Sequence, residues 1–205
     1  MLDKLGFDLW AEDYDKTVEL SDSEDTYPFA GYKDVLAYIY NAVRTMKAKK
    51  VLDIGFGTAV LTKKLYDDGL EIYGQDFSKK MLDIAQKKMP KAKLYEGDFT
   101  KALDKSILSE KYDAILATYS LHHIIDSEKK DFLKALLSLL NDGGKIFIGD
   151  VSFADLASLE SCKEESKDYW DDDEHYLVYE SIKKDFPKAI FEKISFCSGV
   201  LILEK

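Results

Sequence analysis

Two glycines and a nearby acidic residue form the part of this sequence that most clearly suggests ligand binding. Gly55 and Gly57 follow the apolar run Val51–Ile54, which contains Asp53, and an amphipathic stretch comes next. Glycine at the junction of a strand and a helix lets the backbone turn tightly and approach a ligand closely. In an open α/β sheet this junction lies at the carboxyl ends of the strands, where ligands bind. The segment therefore predicts a ligand-binding loop.

The loop lacks the defining features of two common nucleotide-binding motifs. A P-loop ends in Gly-Lys followed by Ser or Thr, and no such run follows Gly57. A dinucleotide fingerprint has a further Gly or Ala three residues after the second glycine, where this chain has Val60. Both departures disfavour these ligands, and the glycines alone leave the ligand open.

Acidic residues at the ends of three successive predicted strands narrow the class of ligand. Asp53 lies in the first strand, Asp76 follows the second and Asp98 follows the third. Their negative charge converges on the loop, so it would repel a pyrophosphate and attract a cation such as S-adenosylmethionine, which carries sulfonium and ammonium groups. Asp76 also lies about twenty residues beyond the loop, the spacing at which an acidic side chain reaches ribose hydroxyls. The alternative for Asp76 is a surface acid beside the helix start at Ser78.

Two adjacent histidines, His122 and His123, follow the fourth predicted strand and share the sheet edge of the glycine loop. A histidine can remove a proton from a thiol, phenol or amine during group transfer. We expect at least one to face the cleft and favour His122 as the base. The alternative is a histidine whose ring is satisfied by backbone groups in a packed turn. Asp150, His175 and Tyr176 are predicted to line the pocket of the second substrate.

From residue 51 onward, strand-like runs alternate with amphipathic stretches, which is typical of parallel strands joined by crossover helices. The predicted strands are Lys50–Ile54, Glu71–Gln75, Lys93–Glu96, Tyr112–Thr118 and Gly144–Val151. The predicted helices are Ala59–Asp68, Lys79–Lys88 and Glu128–Leu140. The predicted helix caps are Thr58, Ser78 and either Asp126 or Ser127. Ala189–Phe196 and Val200–Glu204 predict an antiparallel hairpin, because the link between them is too short for a parallel crossover.

At 205 residues the chain fits one domain, since single cores stop growing only at roughly 250 residues. We predict four parts: an N-terminal helical cap or lid at 1–48, a ligand-binding core at 49–152, an insertion beside the second substrate at 153–187, and the hairpin at 188–205. The cap contains an amphipathic helix at about 31–47, and the insertion ends in a helix at about 176–185.

Composition excludes several classes of partner. The net charge of -10 and a pI near 4.9 oppose binding to nucleic acid, whose affinity for proteins comes largely from cationic side chains. Cys162 and Cys197 show neither a CxxC motif nor metal-ligand spacing, so free thiols and no metal are expected. Residues 1–15 lack a basic region followed by a long apolar stretch, so we predict neither a signal peptide nor a membrane anchor, and a cytoplasmic protein.

Several separate motifs make the chain similar to class I S-adenosylmethionine-dependent methyltransferases, from the glycine loop through Leu-Asn-Asp-Gly-Gly at 140–144. The resemblance implies a Rossmann-like sheet with parallel strands and a C-terminal antiparallel hairpin, flanked by helices. It assigns Asp53 and Gly55-Phe56-Gly57 to the methionine moiety and Asp76 to the ribose. The residues implied near the adenine are Asp98, Phe99, Phe77 and Met81. Met81 has the alternative of a core residue, since Met commonly fills apolar gaps.

A closer similarity extends almost from end to end. It rests on Phe7–Asp15, Phe29–Tyr32, Thr118–His123 and Glu174–Tyr176, which resemble small methyltransferases of Firmicutes associated with methionine recycling. In such proteins the leading segment folds over the cofactor, which implies that Tyr14 lines the cofactor site here. The alternative is that Trp10 and Tyr14 form a hydrophobic staple. Thr118 is a further predicted cofactor contact, and Tyr119 a predicted contact of the methyl acceptor.

The main departure from the family pattern is Ala59, where a third glycine is more common. The resemblance implies methyl transfer but does not supply the acceptor, for which we predict a small molecule. An enzyme can promote such a transfer mainly by aligning acceptor and donor. Two alternatives stay open: a protein that senses S-adenosylmethionine without turnover, and a nicotinamide-dependent oxidoreductase, which Val60 and the acids disfavour. The aromatic and acidic residues before 30 further predict a lid whose order depends on the cofactor.

Overall fold

The computed structural model describes residues 25–205, and an eight-stranded sheet forms the centre of this part of the chain. The strands are β1 (Lys50–Ile54), β2 (Glu71–Asp76), β3 (Lys93–Glu96), β4 (Tyr112–Thr118), β5 (Leu140–Phe153), β6 (Leu177–Val178), β7 (Ile190–Lys193) and β8 (Ser198–Glu204). Their order is β3-β2-β1-β4-β5-β8-β7, and β6 pairs with the end of β5.

The sheet is parallel from β3 to β5, whereas β8 runs antiparallel to both β5 and β7. This confirms the predicted Rossmann-like α/β sheet with its C-terminal hairpin. The strand order reverses between β1 and β4, so the crevice at which ligands bind is expected beyond their carboxyl ends. Ile54 pairs with Gln75 on one side and Ala117 on the other, which brings the segments after β1, β2 and β4 to the same level.

Seven α-helices cover the sheet in the described residues: α1 (Tyr32–Thr45), α2 (Val60–Asp67), α3 (Lys79–Lys88), α4 (Lys105–Leu108), α5 (Asp126–Ser138), α6 (Leu156–Glu165) and α7 (Tyr179–Asp185). The predicted strands and main helices are present with ends shifted by a few residues. β5 is longer than predicted at both ends, and α4, α6 and β6 were not predicted. The predicted helix at 176–185 begins only at Tyr179, because Leu177 and Val178 pair with β5.

One of the three predicted helix caps is present. The Ser78 hydroxyl accepts a hydrogen bond from the Met81 N–H at 3.2 Å at the start of α3. The prediction of Thr58 is wrong, because the chain enters α2 through Ala59 in a left-handed conformation. The prediction of Asp126 or Ser127 is also wrong, because α5 is preceded by Ile125 and begins at Asp126 itself.

Both faces of the sheet are buried, because neighbouring residues of a strand point to opposite faces. Val51 of β1 belongs to a core with Val35 and Ile39 of α1, whereas the adjacent Leu52 belongs to a second core with Leu133 of α5. α1 lies directly on β5 at Gly149. A Cβ built on that glycine would lie 2.4 Å from Val35 Cγ1 and 2.9 Å from Ile39 Cδ1. The close contact therefore depends on the absence of a side chain.

Cys162 and Cys197 are both buried free thiols. Burial is the main reason that the pKa of the Cys197 thiol is raised to about 12. Among residues 25–205 we find no group of three or more His, Cys, Asp or Glu side chains suited to a metal ion. No helix in the same range has the length and apolar character needed to cross a membrane.

Candidate active site

A cavity lies at the carboxyl ends of β1, β2 and β4, at the predicted sheet edge. The predicted residues that line it are Asp53, Gly55, Phe56, Gly57, Asp76, Phe77, Met81, Phe99, Thr118, Tyr119 and His123. The predicted residues that do not line it are Asp98, His122, Asp150, His175 and Tyr176. Tyr14 and Trp10 lie outside the described residues. The topology thus brings the segments after three strands into one site, in agreement with the crevice rule for open sheets.

The two glycines of the loop serve different purposes. Gly55 has a φ of 68°, and a Cβ there would lie 2.6 Å from Ser120 Cβ, so this glycine permits close packing against the segment after β4. Gly57 has a φ of 52°, and a Cβ there would meet no atom within 4 Å. Both conformations favour glycine. Gly55 therefore serves the packing of the protein, whereas the open side of Gly57 is available to a ligand.

Ala59 occupies the place of the third glycine and keeps the left-handed conformation, with a φ of 61°. An alanine in this conformation costs roughly 1–2 kcal/mol relative to its usual backbone. Although alanine replaces the usual glycine at this position, the turn into α2 keeps the backbone conformation that glycine would adopt.

Asp76 is buried and braces the glycine loop. Its Oδ2 accepts a hydrogen bond from the Gly57 N–H at 2.8 Å, and its Oδ1 accepts one from the Ser78 N–H at 2.9 Å. Only 4% of the residue is exposed, so it is not the surface acid considered as an alternative. Each carboxylate oxygen can accept more than one hydrogen bond, which leaves capacity for a ligand hydroxyl at this position.

We expect Asp76→Ala to weaken cofactor binding by about 1.5–3 kcal/mol, the range for hydrogen bonds to charged groups. Folding should survive at a lower melting temperature, because the Gly57 and Ser78 N–H groups lose their acceptor. Isothermal titration calorimetry and thermal unfolding measure the two effects separately. Asp83→Ala is the matched control, since Asp83 is an exposed carboxylate of α3 paired with Lys79. Unchanged affinity in folded Asp76→Ala would refute the ribose assignment.

Asp53 carries a buried carboxylate with one oxygen lacking a partner. Its Oδ2 accepts a hydrogen bond from the Thr62 hydroxyl, whereas its buried Oδ1 has no hydrogen-bond partner among the described residues. Burial raises the pKa of Asp53 to about 7; the Thr62 hydroxyl opposes this shift and the nearby Asp76 adds to it. A cation at Oδ1 would satisfy this oxygen and favour the ionised form.

Asp98 turns towards its own loop. Its Oδ1 accepts hydrogen bonds from the Thr100 N–H and hydroxyl, and its Oδ2 pairs with Lys101 Nζ at 2.9 Å. Partial burial alone would raise the pKa of Asp98, but the contacts with Thr100 and Lys101 outweigh it and lower the pKa. The Asp98 side chain does not line the cavity, whereas the adjacent Phe99 is buried and lines it, so the adenine contact of Asp98 stays a prediction.

His123, rather than the favoured His122, is the histidine that lines the cavity. His122 lies behind the cavity, with Nδ1 at 2.7 Å from Asp150 Oδ1 and Nε2 at 3.7 Å from Glu174 Oε1. Burial lowers the pKa of His122, but the two carboxylates outweigh burial and raise it. His122 does not line the cavity and its two ring nitrogens face Asp150 and Glu174, so the structure does not support the preference for His122 as the base. His123 lines the cavity instead, and burial together with His122 lowers its pKa to about 3.

The residues predicted around the second substrate lie elsewhere. Asp150 is fully engaged: its Oδ2 accepts from the backbone N–H groups of Leu121 and His122, and its Oδ1 accepts from that of Val151. His175 and Tyr176 line a separate cavity among α5, α6 and α7. None of these three side chains lines the cavity beside the glycine loop, and their role towards the second substrate stays a prediction. The hydrogen bonds of the Asp150 carboxylate hold the backbone of the segment after β4.

Residues 51–144 match the family described as "Methyltransferase domain". The chain is 34% identical over 184 residues to an uncharacterized methyltransferase of Alkaliphilus oremlandii, an alignment that covers 90% of this chain and 82% of the relative. It is 36% identical to an uncharacterized methyltransferase of Geobacillus kaustophilus, with 78% of this chain and 72% of the relative covered. The chain belongs to the methyltransferase family.

Solved structures show the same class I fold for this methyltransferase. Magnesium protoporphyrin IX methyltransferase from Synechocystis, crystallised with bound SAH, superposes with a TM-score of 0.66 at 18% identity, covering 86% of this chain and 85% of that one. An S-adenosylmethionine-dependent methyltransferase from Clostridium acetobutylicum gives a TM-score of 0.66 at 19% identity, covering 93% and 98% of the two chains. At these identities the likeness concerns the fold.

Several cavity residues of the methyltransferase were not predicted from its sequence. They are Tyr32, Leu36, Thr58, Val60, Leu61, Thr62 and Ser120. Leu36 belongs to the buried core and also lines the cavity. Thr62 could have been found from the sequence, because it is a polar residue on the otherwise apolar face of α2. In the structure its hydroxyl donates to Asp53. Tyr32 offered none, since its role depends on where α1 lies against the sheet.

Proposed function

We propose that this methyltransferase binds S-adenosylmethionine in the cavity and transfers its methyl group to a small-molecule acceptor. The observation that carries the proposal is the buried Asp53 carboxylate, whose Oδ1 lacks a partner among the described residues. Asp76 lies close enough to raise the pKa of Asp53. Such a site favours a ligand with positive charge, because desolvated opposite charges attract strongly. The donor set therefore fits an ammonium-bearing sulfonium cofactor better than a pyrophosphate.

The cavity offers different chemistry along its length. Asp53 and the Gly55–Gly57 backbone would hold the methionine moiety, and Asp76 the ribose hydroxyls. Phe77, Met81 and Phe99 are apolar lining residues that would suit the adenine. Bound S-adenosylmethionine supplies an activated methyl group on its sulfonium. The protein's contribution is to orient the donor and exclude water from around it.

The acceptor is expected at the end of the cavity formed by Tyr32, Leu36, Tyr119 and His123. His123 is neutral at neutral pH, since its pKa lies at about 3. A neutral imidazole can accept a hydrogen bond from an acceptor O–H or N–H and orient its lone pair. A group with so low a pKa is a weak base, so alignment contributes more than proton removal. A small acceptor agrees with the net charge of -10, which opposes nucleic acid.

Calorimetric titration with S-adenosylmethionine, S-adenosylhomocysteine and NAD tests the donor site. We expect both adenosyl ligands to bind and NAD not to bind; preferential binding of NAD would favour an oxidoreductase instead. Incubating the enzyme with a cell extract and methyl-labelled cofactor, followed by mass spectrometry, tests turnover. A labelled small molecule would identify the acceptor. Binding without any labelled product would favour the sensing alternative.

We also predict that the segment before residue 30 acts as a lid over the cavity. The described part of this segment is packed against the protein, since the Tyr27 ring stacks on Trp170 and the Phe29 ring centroid lies 5.3 Å from that of Tyr119. If the lid closes on the ligand, hydrogen exchange of residues 7–30 should slow markedly when S-adenosylhomocysteine binds, because closure protects backbone amides. The amides of β8 serve as an internal control. Equally slow exchange with and without ligand would instead indicate a fixed cap, and would remove the proposed role of Tyr14.

The predicted cytoplasmic location and the association with methionine recycling stay predictions. Both rest on sequence alone.

A further inference from the structure

We propose that Glu174 is a positioning residue of the methyl-transfer site: with Asp150 it clamps the His122 ring between two carboxylates and holds the turn that presents His123 to the cavity. The proposal rests on the proposed function for its catalytic consequence. The clamp itself is a property of the folded chain and can be tested without turnover.

The clamp joins two distant parts of the chain. Asp150, at the end of the sheet, contacts His122 Nδ1 at 2.7 Å, and Glu174, in the insertion, lies 3.7 Å from Nε2. The His122 side chain is only 10% exposed, so water screens these interactions weakly. The insertion is also tied to the turn by its backbone, because the His175 N–H donates to the His122 carbonyl at 2.9 Å.

Glu174 is itself held in place. Its Oε2 accepts a hydrogen bond from the Tyr176 hydroxyl at 2.7 Å, and that hydroxyl also contacts the Tyr27 hydroxyl. Lys129 of α5 donates to the His175 carbonyl at 2.6 Å and to the Ile124 carbonyl at 2.7 Å, which joins the same two segments. The Glu174 carboxylate therefore has a defined direction towards His122.

Charges on every side of His122 act on its protonation. Asp150 on β5 and Glu174 in the insertion favour the imidazolium, whereas burial and Lys129 on α5 oppose it. The net effect raises the pKa of His122. The stabilisation from the protonated ring is therefore fully present below the ordinary histidine pKa of 6.5, and it is lost as the pH rises through the raised value.

The arrangement around His122 affects the cavity through its neighbour His123, which lines the cavity. The two histidine rings are 4.2 Å apart, and the charge on His122 helps to lower the pKa of His123. A neutral His123 avoids placing a positive charge beside the sulfonium of the donor. The charge on His122 is meanwhile balanced by its two carboxylates. The clamp therefore fixes the position of His123 at the acceptor end, and it adds to the burial that keeps this ring neutral.

Glu174→Gln tests this inference in the full-length protein. The chain contains only three histidines, so NMR can follow the titration of each ring. We expect the midpoint of His122 to fall by about one pH unit in Glu174→Gln, because one of its two carboxylates is lost. Glu174→Asp should recover part of the shift. Glu164→Gln is the matched control, since Glu164 is an exposed carboxylate of α6 with a distant partner, Lys167, at 3.9 Å.

The pH dependence of kcat distinguishes this role of Glu174 from a purely structural one, which would lower kcat equally at all pH values. We expect kcat of Glu174→Gln to fall several-fold at alkaline pH and to recover at acidic pH, where His122 is protonated without Glu174. The KM for S-adenosylmethionine should change less than twofold. A kcat reduced equally at all pH values, or an unchanged His122 midpoint in the folded variant, would overturn the inference. Wild-type protein that binds no adenosyl ligand would instead overturn the proposed function.

Discussion

Asp53→Asn is expected to lower the affinity for S-adenosylmethionine while raising the stability of the free protein. The amide keeps the shape of the side chain and an acceptor for the Thr62 hydroxyl, but it cannot carry the negative charge that a cationic ligand needs. The loss of a charged partner should weaken binding by about 1.5–3 kcal/mol, a reduction of roughly tenfold to over a hundredfold.

The gain in stability follows from the raised pKa of Asp53. The folded protein holds this carboxyl with a pKa of about 7, compared with 3.8 for an ordinary Asp. Its contribution to the free energy of unfolding is therefore greatest below the ordinary value and declines as the pH rises through 7. Asparagine does not ionise, so the variant avoids this decline. Because one pKa unit corresponds to about 1.4 kcal/mol, the free energy of unfolding of Asp53→Asn should exceed that of the wild type by roughly 1–4 kcal/mol at mildly alkaline pH.

Calorimetry between about pH 5.5 and 7.5, below the pKa of an ordinary α-amino group, tests the linkage. Wild-type affinity should rise with pH, and binding should release protons, because the ligand's ammonium favours ionised Asp53. Asp53→Asn should show neither effect. Thr62→Val removes the hydroxyl donor and should move the wild-type transition to higher pH. If Asp53→Asn bound the ligand as tightly as the wild type at pH 7.5, Asp53 would have no role in holding the ammonium group.

The second large effect is expected from alanine substitutions at the two loop glycines. Gly57→Ala should abolish measurable cofactor binding yet fold, since the new Cβ meets no protein atom and projects from the open side of the loop. Its cost in stability is the strain of a left-handed alanine, about 1–2 kcal/mol. Gly55→Ala carries the same strain and also places its Cβ 2.6 Å from Ser120 Cβ. The overlap should add about 1–3 kcal/mol of destabilisation.

Chemical denaturation and ligand titration separate these two mechanisms. Gly69→Ala is the matched control, because Gly69 also has a positive φ of 90° and open space around its Cβ, but it ends α2 away from the cavity. Normal binding by Gly57→Ala would show that the donor does not approach the loop there. Equal stability of Gly55→Ala and Gly57→Ala would show that the Ser120 contact is readily relieved.

The sheet was predictable because its signals are local. β1 and β4 are short, mostly apolar runs, and the three residues between the predicted hairpin strands permit only an antiparallel return. β6 was not predictable, because its two residues form a strand only by pairing with Ser152 and Phe153. The left-handed backbone conformation of Ala59 was not predictable either. Its conformation is imposed by the loop around it rather than by its own preference.

The site was predictable where strand order alone brings residues together. Asp53, Gly57 and Asp76 leave neighbouring strands at one level, so their convergence follows from topology. The directions of side chains beyond the strands do not follow from topology. His122 and His123 are adjacent in sequence, but Asp150 and Glu174 draw the first away from the cavity and leave the second beside it. Asp98 likewise turns to Thr100 and Lys101, and these local contacts could not be read from strand order.

Gly149 sets how closely α1 approaches the sheet. A methyl group there would press on Val35 and Ile39 and force α1 outward. The same helix carries Tyr32 and Leu36, which line the cavity where the acceptor is proposed to bind. The glycine loop lies on other elements and would be left in place. Under the proposed function, the range of acceptors would therefore depend on a buried position that does not line the cavity.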